Sequence, residues 1–172
     1  MPTKSLYGWF GDETDGSVPP TAVATSTSTV AAGTNSVALR YRTRGFSPST
    51  DNTVALHFVL PTDYVSGGTL NVSWISTNTT GNFLFKTAFV SIAMNTTTIT
   101  GNAFGAVTST SAIAVATNAG MENTTSIALG LTSAVAGSRL VVMLGRDAND
   151  VSDTATATTS LMEPWSLSFT TT

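Results

Sequence analysis

Hydrophobic residues alternate with serine, threonine and asparagine along most of the chain after Asn35. A period of two places apolar side chains on one face of a strand and hydroxyl side chains on the other. Eight segments carry this pattern: Val37–Tyr41, Val54–Leu60, Leu70–Trp74, Phe83–Phe89, Ile113–Val115, Ile127–Leu131, Leu140–Leu144 and Leu161–Phe169. We therefore predict about eight half-buried strands.

Turn-forming residues separate these segments at short intervals, as at Gly67-Gly68 and Gly101-Asn102. No helical pattern long enough to connect parallel strands lies between them, which favours antiparallel sheets. The prediction is an all-β protein, an antiparallel β-sandwich of jelly-roll-like form. Pro164 lies inside the last segment and has no N–H to donate, which predicts an edge strand or a β-bulge there.

The first part of the chain has a different pattern. An aromatic cluster that contains Tyr7, Trp9 and Phe10 leads into a polar stretch and the pair Pro19-Pro20. We interpret residues 1–33 as an extended N-terminal arm and residues 34–172 as a single β-sandwich domain. The alternative is that the chain begins with an ordinary strand of the same domain. Neither an export signal nor a membrane-spanning segment is expected from the apolar pattern.

Composition narrows the classes of function. Hydrophobic residues make up 41% of the chain and charged residues 10%, well below the usual share of about 25%. The net charge of −3 does not favour nucleic acid as a partner, because binding phosphates requires a dominant basic patch. Cysteine is absent, so neither disulfides nor thiolate metal sites contribute to stability.

Candidate catalytic chemistry is sparse. The single histidine, His57, lies between Leu56 and Phe58 in a predicted strand, where it points away from the apolar set. The acidic stretches at residues 12–16 and 147–153 contain enough oxygen ligands for calcium but lack EF-hand spacing, and ordinary Asx-turn loops are the favoured interpretation. We expect no enzyme activity, no catalytic residues, no metal and no cofactor.

Three arginines form the most pronounced charge feature. Arg40, Arg42 and Arg44 alternate with Leu39, Tyr41 and Thr43, which predicts three guanidinium groups on one face of a strand. Such a face suits the carboxylates of a protein partner. The alternative is a solvated edge strand whose charges prevent aggregation.

Two stretches resemble a known group of proteins. They are Val59-Leu60-Pro61 with Tyr64-Val65, Trp74 and Thr80-Gly81-Asn82, and later Leu144-Gly145-Arg146-Asp147 through Asp150 and Asp153-Thr154. Over roughly residues 50 to 170 they are similar to the small β-sandwich virion proteins of tailed bacteriophages, cyanophage-like ones included, of the capsid cement or decoration type. No functional residue is carried over from this resemblance.

The resemblance implies a homotrimer on the capsid exterior, assembled in the host cytoplasm, that binds the major capsid protein and bridges capsomers. Neither nucleic acid nor a membrane is an expected partner. We predict as interface residues Tyr7, Trp9, Phe10, Arg40, Arg42 and Arg44. The first alternative is a receptor-binding or carbohydrate-binding module of a tail fibre or spike. A glycan-cleaving enzyme is disfavoured, since no pair of catalytic carboxylates is indicated.

Overall fold

The computed structural model describes residues 2–8, 25–31, 39–98 and 102–172. For residues 25–31, 39–42 and 163–164 it describes the backbone alone. This part of the chain forms twelve strands: β1 (Thr3–Gly8), β2 (Thr25–Ala31), β3 (Leu39–Phe46), β4 (Thr53–Val59), β5 (Tyr64–Ser76), β6 (Asn82–Phe83), β7 (Phe85–Ile92), β8 (Thr108–Ser109), β9 (Ile113–Ala114), β10 (Asn123–Ala128), β11 (Arg139–Arg146) and β12 (Thr159–Thr171). No helix capable of crossing a membrane occurs within those ranges.

The strands form two main antiparallel sheets. The larger sheet has the order β10-β5-β12-β3-β2, with β1 also paired to β12, and the smaller sheet has the order β4-β11-β7-β8. Strands β3, β4, β5 and β7 alternate between the two sheets, as do β10, β11 and β12 later in the chain. This alternation is typical of a jelly roll and confirms the predicted fold class.

Each of the eight predicted segments overlaps an observed strand, but the count of about eight was too low. The structure adds β1 and β2 to the larger sheet, adds the two-residue β8, and divides one predicted segment into β6 and β7. The segment predicted around Leu129 and Leu131 is displaced, since β10 ends at Ala128. Both leucines are nevertheless buried, because their side chains pack into the core beyond the end of the strand.

Side chains from both sheets meet in one core. Strand β5 shows the predicted alternation, with Leu70, Val72 and Trp74 buried and the residues between them partly exposed. An aromatic row links the sheets: the Trp74 and Phe83 ring centroids are 4.7 Å apart, and those of Phe83 and Phe85 are 5.0 Å apart, both edge to face. This row fixes the spacing of the two sheets at one end of the sandwich.

Pro164 lies in β12, at a point where the pairing of this strand with β5 is irregular. The register between β12 and β5 shifts between Met162 and Ser166, so the predicted β-bulge is confirmed. On its other edge β12 pairs with β3 up to Met162 and with β1 from Trp165 onward. The proline therefore stands where no ladder hydrogen bond is required of it, and the bulge allows two strands to share one edge of β12.

The predicted arm contains sheet structure where it is described. Strand β1 pairs with β12 over six residues and β2 pairs with β3 over seven. Residues 3–8 thus form the terminal strand that was the alternative interpretation. The rest of the predicted arm, residues 9–24 and 32–33, lies outside the described residues, so the division into an arm and a body stays a prediction.

Candidate binding surface

The candidates for catalysis or metal binding are His57 and two acidic stretches. His57 is exposed on β4, on the side away from the core, as its position in the alternating pattern predicts. Within the described ranges no three histidine, aspartate or glutamate side chains form a group that could hold a metal ion. The acidic stretch at residues 12–16, whose side chains were candidates to coordinate calcium, lies outside those ranges.

The second acidic stretch forms turns. The Ser152 N–H donates to Asp150 Oδ1 over 2.7 Å, and the Asp153 N–H donates to the Asp150 carbonyl over 2.9 Å. Asp147 accepts a hydrogen bond of 2.6 Å from Ser109 Oγ. These contacts confirm the Asx-turn interpretation of this stretch, because its carboxylates serve neighbouring protein donors.

One charged pair of this loop is fully buried. Arg146, the last residue of β11, donates from Nε to Asp153 Oδ2 over 2.8 Å and from Nη2 to Asp153 Oδ1 over 2.5 Å. Its remaining donors reach the Ala157 carbonyl at 2.7 Å and the Ala155 carbonyl. Neither side chain is exposed to solvent. The fork geometry satisfies the guanidinium and fixes the loop between β11 and β12.

A second ion pair braces the same end of the sandwich. Asp51 accepts from Lys86 Nζ and, over 2.8 Å, from the Ala148 N–H. Asn52 Oδ1 accepts from the Ser47 N–H over 2.7 Å. The loop that precedes β4 is thereby joined to β7 and to the loop after β11. These contacts stabilise the loops at this end of the sandwich.

The predicted interface residues fall in different environments. Tyr7 is 68% exposed on β1, whereas Trp9 and Phe10 lie outside the described residues. Arg44 is half-buried and pairs in register with Leu161, whose side chain is fully buried. Arg40 and Arg42 lie on the same strand, and only their backbone is described. The partner-facing role of all six residues stays a prediction.

Two features of the arginine strand differ from the sequence interpretation. Strand β3 pairs with β2 from Leu39 to Gly45 and with β12 from Thr43 to Phe46, so it lies between two strands only at its end. Thr43 lies on the face opposite Arg44, as the alternation predicts, but Arg44 shares its face with the fully buried Leu161, so the Thr43 face is the one directed away from the core. Thr43 is nevertheless buried. The periodicity identified the strand correctly, but it cannot tell which face a neighbouring sheet covers.

The outer face of the smaller sheet is closed to solvent at its centre. Four residues point away from the core, since Val141 is in register with exposed His57, Met143 with Ala88, and Ile92 with exposed Arg139. None of Val141, Met143, Ala88 and Ile92 is more than 7% exposed. A partner therefore has no open access to the middle of this face.

The outer face of the larger sheet is open and has a different chemistry. Across β1, β12, β5 and β10 one register row consists of Tyr7, Ser166, Asn71 and Ser126. Parallel rows add further hydroxyl side chains, namely Thr3, Ser5, Thr69, Ser73, Thr124, Ser168 and Thr170. None of these residues is buried. We call this surface the hydroxyl face.

Hydrogen bonds connect the hydroxyl face across all four strands. Ser126 Oγ donates to Asn71 Oδ1 over 2.7 Å, and Asn71 Nδ2 donates to Ser168 Oγ over 3.1 Å. Ser168 Oγ lies 3.0 Å from Ser5 Oγ. The amide of Asn71 thus joins three strands, which orders the face before any partner arrives.

Comparisons with known proteins add little beyond the fold. No protein-family model matches the chain, and no curated protein matches it. Among solved structures it is similar to a CBM35 domain from Cellvibrio japonicus Abf62, with a TM-score of 0.45 and 12% identity over 95% of this chain and 92% of that one.

Two further similar structures are viral. The enzymatically active domain of tailspike protein 4 from bacteriophage CBA120 gives a TM-score of 0.43 and 10% identity over 95% of this chain and 19% of that one. The infectious bursal disease virus Gx strain structure gives a TM-score of 0.40 and 6% identity over 98% of this chain and 33% of that one. The chain thus spans only a minor part of both viral proteins.

Proposed function

We propose that this chain is a virion structural protein of the capsid cement or decoration type, which binds the major capsid protein from outside and bridges capsomers as a homotrimer. It acts through its surfaces and catalyses no reaction. The observation that carries the proposal is the pairing of β1 with β12 over six residues, because a strand anchored in this way leads directly into the aromatic pair Trp9-Phe10 and suits docking onto another protein.

The sandwich itself suits a particle that must withstand internal pressure. Its core is continuous between two sheets, and its two ion pairs at one end hold the loops in place without disulfides. Stability therefore does not depend on the redox state of the surroundings. Obligate interfaces commonly bury 2,000 Å² or more, so many copies bridging capsomers would offset part of the outward force on the shell.

The direct test is sedimentation of the purified protein with DNA-filled capsids that lack it. We expect the wild-type chain to pellet with the capsids and to raise the temperature at which they release DNA. Trp9→Ala combined with Phe10→Ala should pellet at a much lower level, because these aromatics follow directly on β1. Deletion of residues 1–33 is a poorer variant, since it removes two strands from the larger sheet.

A matched control is Val135→Ala, which trims an exposed side chain on a turn elsewhere in the molecule. It should bind capsids like the wild type. Equal capsid binding by the wild type and the Trp9/Phe10 variant would remove the N-terminal segment from the interface, and no binding by either protein would refute the cement role.

A second candidate function, glycan binding by a tail fibre or spike module, is favoured by one observation. Tyr7 stands at the end of the hydroxyl face, where an aromatic ring and hydrogen-bonding groups share a surface. Immunogold labelling of intact virions separates the two candidates, because gold on the tail would support the module and gold on the head would support the cement protein.

A further inference from the structure

We propose that the hydroxyl face is a binding site for a neutral polysaccharide, with Tyr7 as the stacking platform and Asn71, Ser126 and Ser166 as the polar row. This site goes beyond the proposed capsid function, and it gives the second candidate function a ligand class and binding residues. It would give a head-bound protein an outward surface that holds the particle near glycans.

The described side chains of this face select the ligand, because they carry no charge. Every described side chain that points outward from β1, β12, β5 and β10 is uncharged, although the chain contains seventeen acidic and basic residues. Nucleic acid, acidic glycans and charged protein surfaces would find no counter-ion here. A polymer whose polar groups are all hydroxyls matches the face.

The hydrogen-bonding capacity of the face remains partly free. A serine hydroxyl has one donor and two acceptor positions. Ser126 uses its donor on Asn71, which leaves the acceptor positions of its oxygen open, and Ser168 Oγ accepts from Asn71 and shares a further hydrogen bond with Ser5 Oγ. Sugar hydroxyls are donors as well as acceptors, so they would complete the set. The internal bonds also hold each side chain in place, which lowers the entropy lost on binding.

Tyr7 supplies the apolar part of the site. The residue is 68% exposed. Its strand is held in place because Ser5 pairs with Ser168 and Leu6 pairs with Leu167. The C–H face of a sugar ring packs on an aromatic face, while the sugar hydroxyls point sideways toward polar partners. The serine next to the ring in the row, Ser166, lies on the neighbouring strand.

The length of the row suits a chain of sugars. Four adjacent strands span about 14 Å at the usual spacing between paired strands. An extended polysaccharide lying across the strands would contact Tyr7 first and then Ser166, Asn71 and Ser126 in order. Single contacts of this kind are weak, and many copies on one particle would bind the polymer together.

The experiment is native electrophoresis of the full-length chain through gels that contain a dissolved polysaccharide. The neutral probes are dextran, yeast mannan and a galactan, and polygalacturonate is the acidic probe. We expect at least one neutral polymer to retard the wild-type chain. Tyr7→Ala and Asn71→Ala should each need roughly tenfold more polymer for the same retardation.

Controls separate binding from folding. Val135→Ala alters an exposed side chain outside the hydroxyl face and should be retarded like the wild type, whereas Tyr7→Trp keeps an aromatic platform and should be retarded more than Tyr7→Ala. Ser126→Ala changes an exposed residue and provides a second test of the row if Asn71→Ala proves unstable by tryptophan fluorescence. The Trp9/Phe10 double variant should keep its retardation while losing capsid binding, which distinguishes this site from the shell interface.

The proposal is overturned if no neutral polymer retards the wild-type chain or if only polygalacturonate does. It is also overturned if Tyr7→Ala is retarded like the wild type and the polar-row variant is too, that variant being Asn71→Ala or, if Asn71→Ala is unstable, Ser126→Ala. Either result leaves the capsid-sedimentation test unaffected.

Discussion

Replacing Arg146 by methionine would remove the most deeply buried charge of the described structure. The change deletes two hydrogen bonds to Asp153 and two to the carbonyls of Ala155 and Ala157. It also leaves the Asp153 carboxylate in a site without solvent contact. Removing one partner of such a pair costs about 3–5 kcal/mol of unfolding free energy. For a chain of this length that loss lowers Tm by roughly 6–20 °C.

Urea unfolding followed by tryptophan fluorescence measures this loss, because Trp74 and Trp165 are buried and change their surroundings on unfolding. Arg146→Met combined with Asp153→Leu is the informative second variant. It removes both charges and should recover a large part of the loss, since an apolar replacement of a buried pair is often tolerated. A loss below about 1 kcal/mol in Arg146→Met would refute the reasoning. It would also be refuted if the loss in the double variant equalled or exceeded the added losses of Arg146→Met and Asp153→Leu measured singly.

Three further predictions concern packing, titration and assembly. Gly145→Ala should cost about 1–3 kcal/mol in the same urea assay, because a Cβ there would meet the Asn52 carbonyl oxygen at 2.6 Å and Thr53 Cγ2 at 2.8 Å; wild-type stability would contradict this. Burial raises the pKa of the Tyr64 phenol above its usual 10.0. The stabilising contribution of the protonated Tyr64 phenol is fully present below about pH 10, the pKa of the unfolded state. This contribution is lost as the pH rises from there through the raised pKa of the native state. Tyr64→Phe should therefore flatten the fall in unfolding free energy at alkaline pH. An equally steep fall in that variant would assign the pH dependence to other groups. Light scattering of the purified chain should give three times its 17.7 kDa mass, whereas the mass of one chain would exclude the trimer in solution.

The fold was predictable because its strands are half-buried on one side. From Leu70 to Trp74 in β5 and from Trp165 to Phe169 in β12, buried apolar residues alternate with polar residues, so the period of two is visible in the sequence. Pro164 could be assigned to a bulge for a similar reason, since a residue without an N–H is tolerated only where the ladder is interrupted. Strands β1 and β2 were harder to predict, because β2 contains mainly threonine and serine and β1 lies in an aromatic segment without clear alternation.

The candidate binding surface was less predictable than the fold. Its row joins Tyr7, Asn71, Ser126 and Ser166, which come from four separate parts of the sequence, and only strand order and register bring them together. The pair of Arg146 and Asp153 had a weak signal, an arginine at the end of an apolar strand with an acidic loop behind it. Nothing local in the sequence indicates that the carboxylate folds back onto the guanidinium.

The central claim is that this chain covers the outside of a capsid. A cryo-electron microscopy difference map between wild-type particles and particles that lack the protein tests it most directly. The account predicts difference density on the outer head surface, repeated with threefold symmetry where capsomers meet. Difference density confined to the tail, or none on the head, would contradict it.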